Sequence, residues 1–210
     1  MHEGLVILDY GSQYTQLIAR RGRELGVFSI ILPYSASLDE IKKYNPKGIV
    51  LSGGPNSVFD KGAPGLTDGV LEQGVPVLGI CYGMQLISQK FGGEVEEAAT
   101  REYGKATITH KDKSEIINES FDGSTVWMSH GTHVSKPPAG FTVAAMSDGT
   151  IAGIENIEKH IYGLQFHPEV AHTEHGREIL EAFIDKCGFR KDWSASSIID
   201  EQVEKIKQTA

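Results

Sequence analysis

Apolar residues in the first half of the chain come in short unbroken runs, not in strict alternation. Leu5-Val6-Ile7-Leu8, Val27 to Leu32, Gly48-Ile49-Val50-Leu51 and Val75 to Ile80 each read as a strand buried on both faces. Between them lie stretches with helical spacing: Tyr14 to Leu25, stopped by Gly26; Ser37 to Tyr44, with Ser37 as its N-cap; and Gly65 to Gln73. A further helix, Gln85 to Phe91, follows the fourth strand. Strands alternating with helices build βαβ units and a parallel sheet. Ligands of such sheets bind beyond the carboxyl ends of the strands.

From about Glu94 to Gln165 the pattern changes. Ala106-Thr107-Ile108-Thr109, Ser124 to Met128, Thr142 to Ala145 and Ile161 to Gln165 are short strand candidates split by turn residues. They read as an antiparallel extension of the same domain, closed by a helix from about Glu174 to Lys186. The predicted fold is α/β: an open, mostly parallel sheet flanked by helices, with an antiparallel β extension, over residues 1-190. Residues 191-210 stand apart. Trp193 and Ser194 precede Ser197 to Ile206, which has apolar positions at helical spacing. This segment reads either as a surface helix or, more sharply, as a linker helix into a further domain.

Composition acts mainly by exclusion. The chain is 40% hydrophobic and 23% charged, as soluble globular domains are. Its net charge of -8 disfavours nucleic acid and anionic membrane as partners. No apolar run reaches the roughly 20 residues that span a bilayer. Met1-His2-Glu3-Gly4 leads directly into a strand, so no signal peptide is expected. Two cysteines make no disulfide framework, and a reducing cytoplasm is the simplest setting. Cys187, at a helix end stopped by Gly188, reads as a small buried hydrophobe.

Cys81 reads differently. It lies in Gly79-Ile80-Cys81-Tyr82-Gly83, between a buried strand and a helix, in the cysteine version of a nucleophile elbow. Such a turn lifts the thiol above the sheet and sets it at a helix N-terminus, which favours a thiolate. It also aims the N–H of Tyr82 at a developing oxyanion. A cysteine nucleophile needs a base, and the base needs an orienting group. Phe166-His167-Pro168-Glu169 supplies both at a strand end, with His167 and Glu169 on one side of an extended segment. Ser52-Gly53-Gly54-Pro55-Asn56-Ser57, directly after the third strand, is a glycine-rich loop suited to a second oxyanion donor and to substrate. A pyrophosphate-binding reading of that loop is weaker, because Asn56 stands where Asp is usual and the loop follows the wrong strand. No Gly-x-x-x-x-Gly-Lys-Ser/Thr is present. His130 and His133, with His172 and His175, match no common zinc motif, so no metal is expected.

These three motifs, in this order, resemble the class I (triad) glutamine amidotransferases, which have a flavodoxin-like fold. Ile7 to Arg21 and Val126-Trp127-Met128-Ser129-His130-Gly131 narrow the resemblance to the branch joined to an ATP pyrophosphatase (synthetase) domain, and Trp193 to Ile206 is similar to the segment leading into that domain. The resemblance implies roles residue by residue. Cys81 attacks the carboxamide of L-glutamine. His167 passes protons, with Glu169 behind it. The N–H groups of Gly54 and Tyr82 form the oxyanion hole. Gly53, Gln85 and the backbone of Ser129, His130, Gly131 and Thr132 hold the amino-acid end of glutamine. Ammonia would pass to an adenylated xanthosine monophosphate intermediate, giving GMP. No cofactor is implied here; ATP and Mg2+ belong to the synthetase domain, which is absent from this chain and is the expected partner. The chain reads as an excised domain or a separate subunit, the tail favouring excision, and a homo-oligomer is compatible with the full enzyme. The chain departs from the family at Thr132-His133, where an acidic residue usually follows Ser-His-Gly. The alternatives are an amidotransferase subunit of another pathway, such as anthranilate synthase, and a regulatory or interaction module silent without its partner.

Overall fold

Four apolar runs become the parallel strands they predict. They are β1 (Gly4–Asp9), β2 (Ser29–Pro33), β3 (Pro46–Leu51) and β4 (Val77–Ile80). The computed structural model describes residues 3–194, except the side chains of 99–101; the tail helix read over Ser197 to Ile206 lies outside the described residues. The helices are α1 (Thr15–Glu24), α2 (Leu38–Lys42), α3 (Tyr82–Lys90) and α4 (Gly176–Cys187). The region between α3 and α4 folds as β5 (Glu94–Thr107), β6 (Thr109–His110), β7 (Thr125–Lys136), β8 (Thr142–Ser147), β9 (Thr150–Asn156) and β10 (Ile161–Leu164).

Eight of these strands form one sheet in the order β2-β1-β3-β4-β10-β9-β8-β6. The first five run parallel, and β9, β8 and β6 continue antiparallel. Successive residues of β1 serve opposite faces. Leu5 and Ile7 pack with Ile18 of α1 and Phe183 of α4, while Val6 and Leu8 pack with Ile41 of α2 and Met84 and Ile87 of α3. That double burial explains why the strands read as continuous apolar runs. Ser37 caps α2 in a capping box with Glu40.

Two elements differ from their expected form. Gly65 to Gln73 is not a helix; only a 3-10 turn at Val70–Glu72 forms, because Gly69 takes φ 78° and interrupts the turn. The antiparallel extension forms in two parts, β9, β8 and β6 continuing the main sheet. β5 and β7 pair only with each other as a separate two-stranded ladder, and β9 is an added strand. Glu94, Glu96 and Glu97 make the start of β5 too polar to read as a strand. The last parallel strand ends at Leu164, short of Gln165. Its register decides the site: Leu164 pairs with Ile80 and Leu51 with Gly79, so the segments leaving β3, β4 and β10 emerge side by side.

Candidate active site

The turn at Cys81 is as sharp as its glycines predict. Cys81 takes φ 52° and ψ -105°, a sparsely populated positive-φ conformation that costs a non-glycine residue roughly 1–3 kcal/mol, and its N–H donates to Leu164 C=O at 2.6 Å. A Cβ on Gly79 would lie 2.6 Å from the Gly83 carbonyl carbon, and one on Gly83 would meet the Leu51 carbonyl oxygen. Strand, elbow and helix therefore pack too closely for any side chain at either position. α3 begins at Tyr82, earlier than the predicted Gln85, so the thiol stands at the helix N-cap. The N–H of Tyr82 is among those a helix leaves without an intrahelical partner.

The structure brings Cys81, His167 and Glu169 together. The His167 imidazole sits beside Cys81 and interacts with it, and its Nδ1 lies 2.8 Å from Glu169 Oε1. Both His167 and Glu169 are buried. The expected extended segment instead bends at 165–166 and turns at 168–169, and the pair meets across that turn. Backbone contacts pin His167 to β7. Its N–H donates to Trp127 C=O at 3.0 Å, and its C=O accepts Thr173 Oγ1–H at 2.6 Å. Thr173 Oγ1 in turn accepts the Trp127 N–H at 3.0 Å. Tyr14 meets the imidazole edge-on, with ring centroids 5.1 Å apart. Burial pulls the His167 pKa down, but the Glu169 carboxylate and the interaction with Cys81 outweigh it, and the pKa is pushed up to about 10. The imidazolium is thus favoured, paired with the Glu169 carboxylate.

A cleft of about 440 Å³ opens above these groups. Gly54, Cys81, Tyr82, Gln85, Ser129, His130, Gly131, Thr132 and His167 all line it. Gly53 lies just behind: a Cβ there would be 2.9 Å from His167 Cε1 and 3.5 Å from the Cys81 Cβ. A Cβ on Gly54 would lie 2.6 Å from the Tyr10 carbonyl oxygen. The loop can run against the Cys–His pair only because it carries no side chain. Ser52 pins it, its Oγ accepting the Tyr10 N–H and donating to Gly53 C=O, both at 2.9 Å.

The far wall is β7. Gln85 and Thr132 bond reciprocally: Gln85 Nε2 donates to Thr132 C=O at 2.7 Å, and Thr132 Oγ1 donates to Gln85 Oε1 at 2.8 Å. His130 is buried, and burial first, then the neighbouring His133 and His167, pulls its pKa down to about 4. It is therefore neutral near pH 7. Glu102 Oε2 lies 3.3 Å from its Nε2, yet neither ring nitrogen has a hydrogen-bond partner among the described residues. The described residues also hold no group of three His, Cys, Asp or Glu side chains placed to bind a metal. Cys187 is buried against Gly48, away from the cleft, and burial pushes its thiol pKa up.

Sequence reasoning missed several groups. Gly11, Ser12, Gln13 and Tyr14 form a wall of the cleft, and Tyr103 reaches it from β5. Thr173 and Gln165 act from beneath it. Gln165 is fully buried beside Cys81. A polar residue ending an otherwise apolar strand was the available signal.

An α/β sheet with a cysteine on the elbow after β4, backed by a buried His–Glu pair, defines a triad-type cysteine site. The family model "Glutamine amidotransferase class-I" matches residues 6–187. This chain belongs to that family. Over 99% of its length it is 50% identical to a protein named GMP synthase [glutamine-hydrolyzing] from Oceanobacillus iheyensis, and 48% identical to one of the same name from Bacillus cereus. The chain spans 41% of the length of each. Among solved structures, a GMP synthase subunit protein of Thermoplasma acidophilum superposes with TM-score 0.79 at 33% identity, covering 90% of this chain and 95% of that one. A glutamine amidotransferase of Thermotoga maritima shares the fold, with TM-score 0.65 at 17% identity over 92% of this chain and all of that one.

Proposed function

We propose that this chain hydrolyses L-glutamine to glutamate and ammonia through Cys81, His167 and Glu169. The contact set at the cleft floor carries it: a cysteine at a helix N-cap, beside an imidazole whose Nδ1 lies 2.8 Å from a buried carboxylate. The Cys81 thiolate attacks the side-chain carboxamide carbon, and the carbonyl electron pair moves to oxygen. The N–H groups of Gly54 and Tyr82 receive that oxyanion. As the tetrahedral species collapses, the His167 imidazolium protonates the departing nitrogen, ammonia leaves, and a γ-glutamyl thioester remains on Cys81. Water then attacks the thioester while His167 takes its proton, and glutamate leaves from a regenerated thiol. Gln85, Gly53 and the backbone of 129–132 hold the amino-acid end of glutamine. The reaction uses protein groups and water.

The ammonia serves amination of xanthosine monophosphate to GMP in an ATP pyrophosphatase domain or subunit, where ATP and Mg2+ act. The GMP synthase names of relatives 48–50% identical over 99% of this chain support that assignment over an anthranilate-type pathway. A cytoplasmic setting goes with it; no described helix is long and apolar enough to cross a membrane. Glutamate release from glutamine tests the proposal, with and without an added GMP synthetase domain. Release that disappears in Cys81→Ala supports it. Release that persists in that variant overturns it.

A further inference from the structure

Besides His167, two groups meet the Cys81 sulfur, and they favour opposite protonation states. The Ser129 C=O lies 3.6 Å from Sγ and can only accept, so it favours the thiol. Gln165 Nε2 lies 3.6 Å from the same sulfur and can only donate. A side-chain amide can flip, so what matters is which end of Gln165 faces the sulfur. Its neighbours decide. The Thr132 backbone carbonyl is an acceptor, so the Gln85 atom 2.7 Å from it is the NH2. Thr132 Oγ1 on Gln85 Oε1 agrees with that orientation. The Gln85 NH2 also lies 3.4 Å from Gln165, and its partner there is the Gln165 oxygen. The Gln165 NH2 is then left pointing at Cys81. Gln165 is fully buried, and its backbone N–H is fixed to Ala152 C=O at 2.9 Å, so water does not compete for the amide.

We propose that Gln165 is a catalytic residue of this site, its amide donating a hydrogen bond to the Cys81 thiolate, with its orientation set by Gln85 and the Thr132 carbonyl. The inference rests on the assignment of Cys81 as nucleophile. It makes the β7 wall an electrostatic support of the nucleophile as well as a wall for substrate. A hydrogen bond to an ionised group in a buried site is worth enough to move an apparent titration by about one pH unit.

The test is alkylation of the full chain by iodoacetamide across a pH series, with peptide mapping to follow Cys81 alone. Gln165→Met keeps the bulk and removes the donor. Its labelling curve is expected to move about one unit to higher pH, with labelling on the acid limb slowed about tenfold. Gln165→Glu replaces the donor by a carboxylate and is expected to move the curve further the same way. That ordering is not one that loosened packing alone produces, and the Glu variant decides if the Met variant does not fold. A curve in either folded variant that coincides with wild type overturns the proposal. The assignment of Cys81 is tested separately in the same wild-type samples, by whether an electrophilic glutamine analogue labels Cys81 in competition with glutamine. Failure there removes the nucleophile, whereas coincident curves remove only Gln165.

Discussion

At the residue scale, the two cysteines differ in environment more than in burial. Cys81 has the His167 imidazole beside it and lines a cleft; Cys187 is packed against Gly48 with its pKa pushed up by burial. Iodoacetamide is therefore expected to modify Cys81 in the folded chain and leave Cys187 unmodified, which peptide mapping checks. His167 gives a second expectation. Its folded pKa is raised from 6.5 to about 10. A group held protonated by the fold stabilises fully below its unfolded pKa, and that contribution fades as pH rises through the folded value. The pH-dependent part of the stability advantage of wild type over His167→Gln is thus expected to be largest below pH 6.5 and to fade as pH rises through about 10. Urea unfolding at each pH measures it. Glu169→Gln removes the charge that favours the imidazolium, and is expected to lower kcat by about 10²–10⁴ with little change in KM. Steady-state kinetics check that split.

At the element scale, strand ends build the site. The elbow after β4, the glycine loop after β3 and the turn after β10 converge because their strands are neighbours. Gly83→Ala forces a Cβ onto the Leu51 carbonyl oxygen and is expected to destabilise by about 1–3 kcal/mol in urea unfolding. Thr173→Val removes the hydroxyl that ties His167 to β7, and is expected to lower kcat more than it raises KM, with Thr173→Ser restoring it. Much of this geometry was legible in the sequence. Apolar runs gave the parallel strands, and the Gly-x-Cys-x-Gly turn and the His167-x-Glu169 pair gave the nucleophile and its support. What was not legible depended on pairing between distant residues. Nothing local to Glu94 to Thr107 says that it leaves the main sheet to pair with β7, and nothing local to Gln165 or Thr173 says which partner each finds. The Gly65 to Gln73 helix failed because Gly69 takes a conformation that the helical spacing alone did not reveal.

At the scale of the whole molecule, the described fold is a site-bearing sheet with a two-stranded arm, β5–β7, that forms one wall of the cleft. Tyr103 on that arm is 65% exposed beside the cleft, and Phe59 on the loop after β3 is 51% exposed. In the GMP-synthesis reading, the ammonia made at Cys81 needs a second unit to receive it. Glutamate release is then expected to rise when a GMP synthetase domain with its nucleotide substrates is added, which a coupled glutamate assay reads; an unchanged rate would argue for a glutaminase that works uncoupled. The nucleophilic role of Cys81 is measured most directly by trapping its covalent intermediate. The chain is mixed with isotopically labelled glutamine, quenched in acid and mapped by mass spectrometry. A γ-glutamyl adduct on the Cys81 peptide, lost in Cys81→Ala and retained in Cys187→Ala, is the predicted result. Turnover of glutamine with no adduct on Cys81, or with the adduct on Cys187, would contradict it.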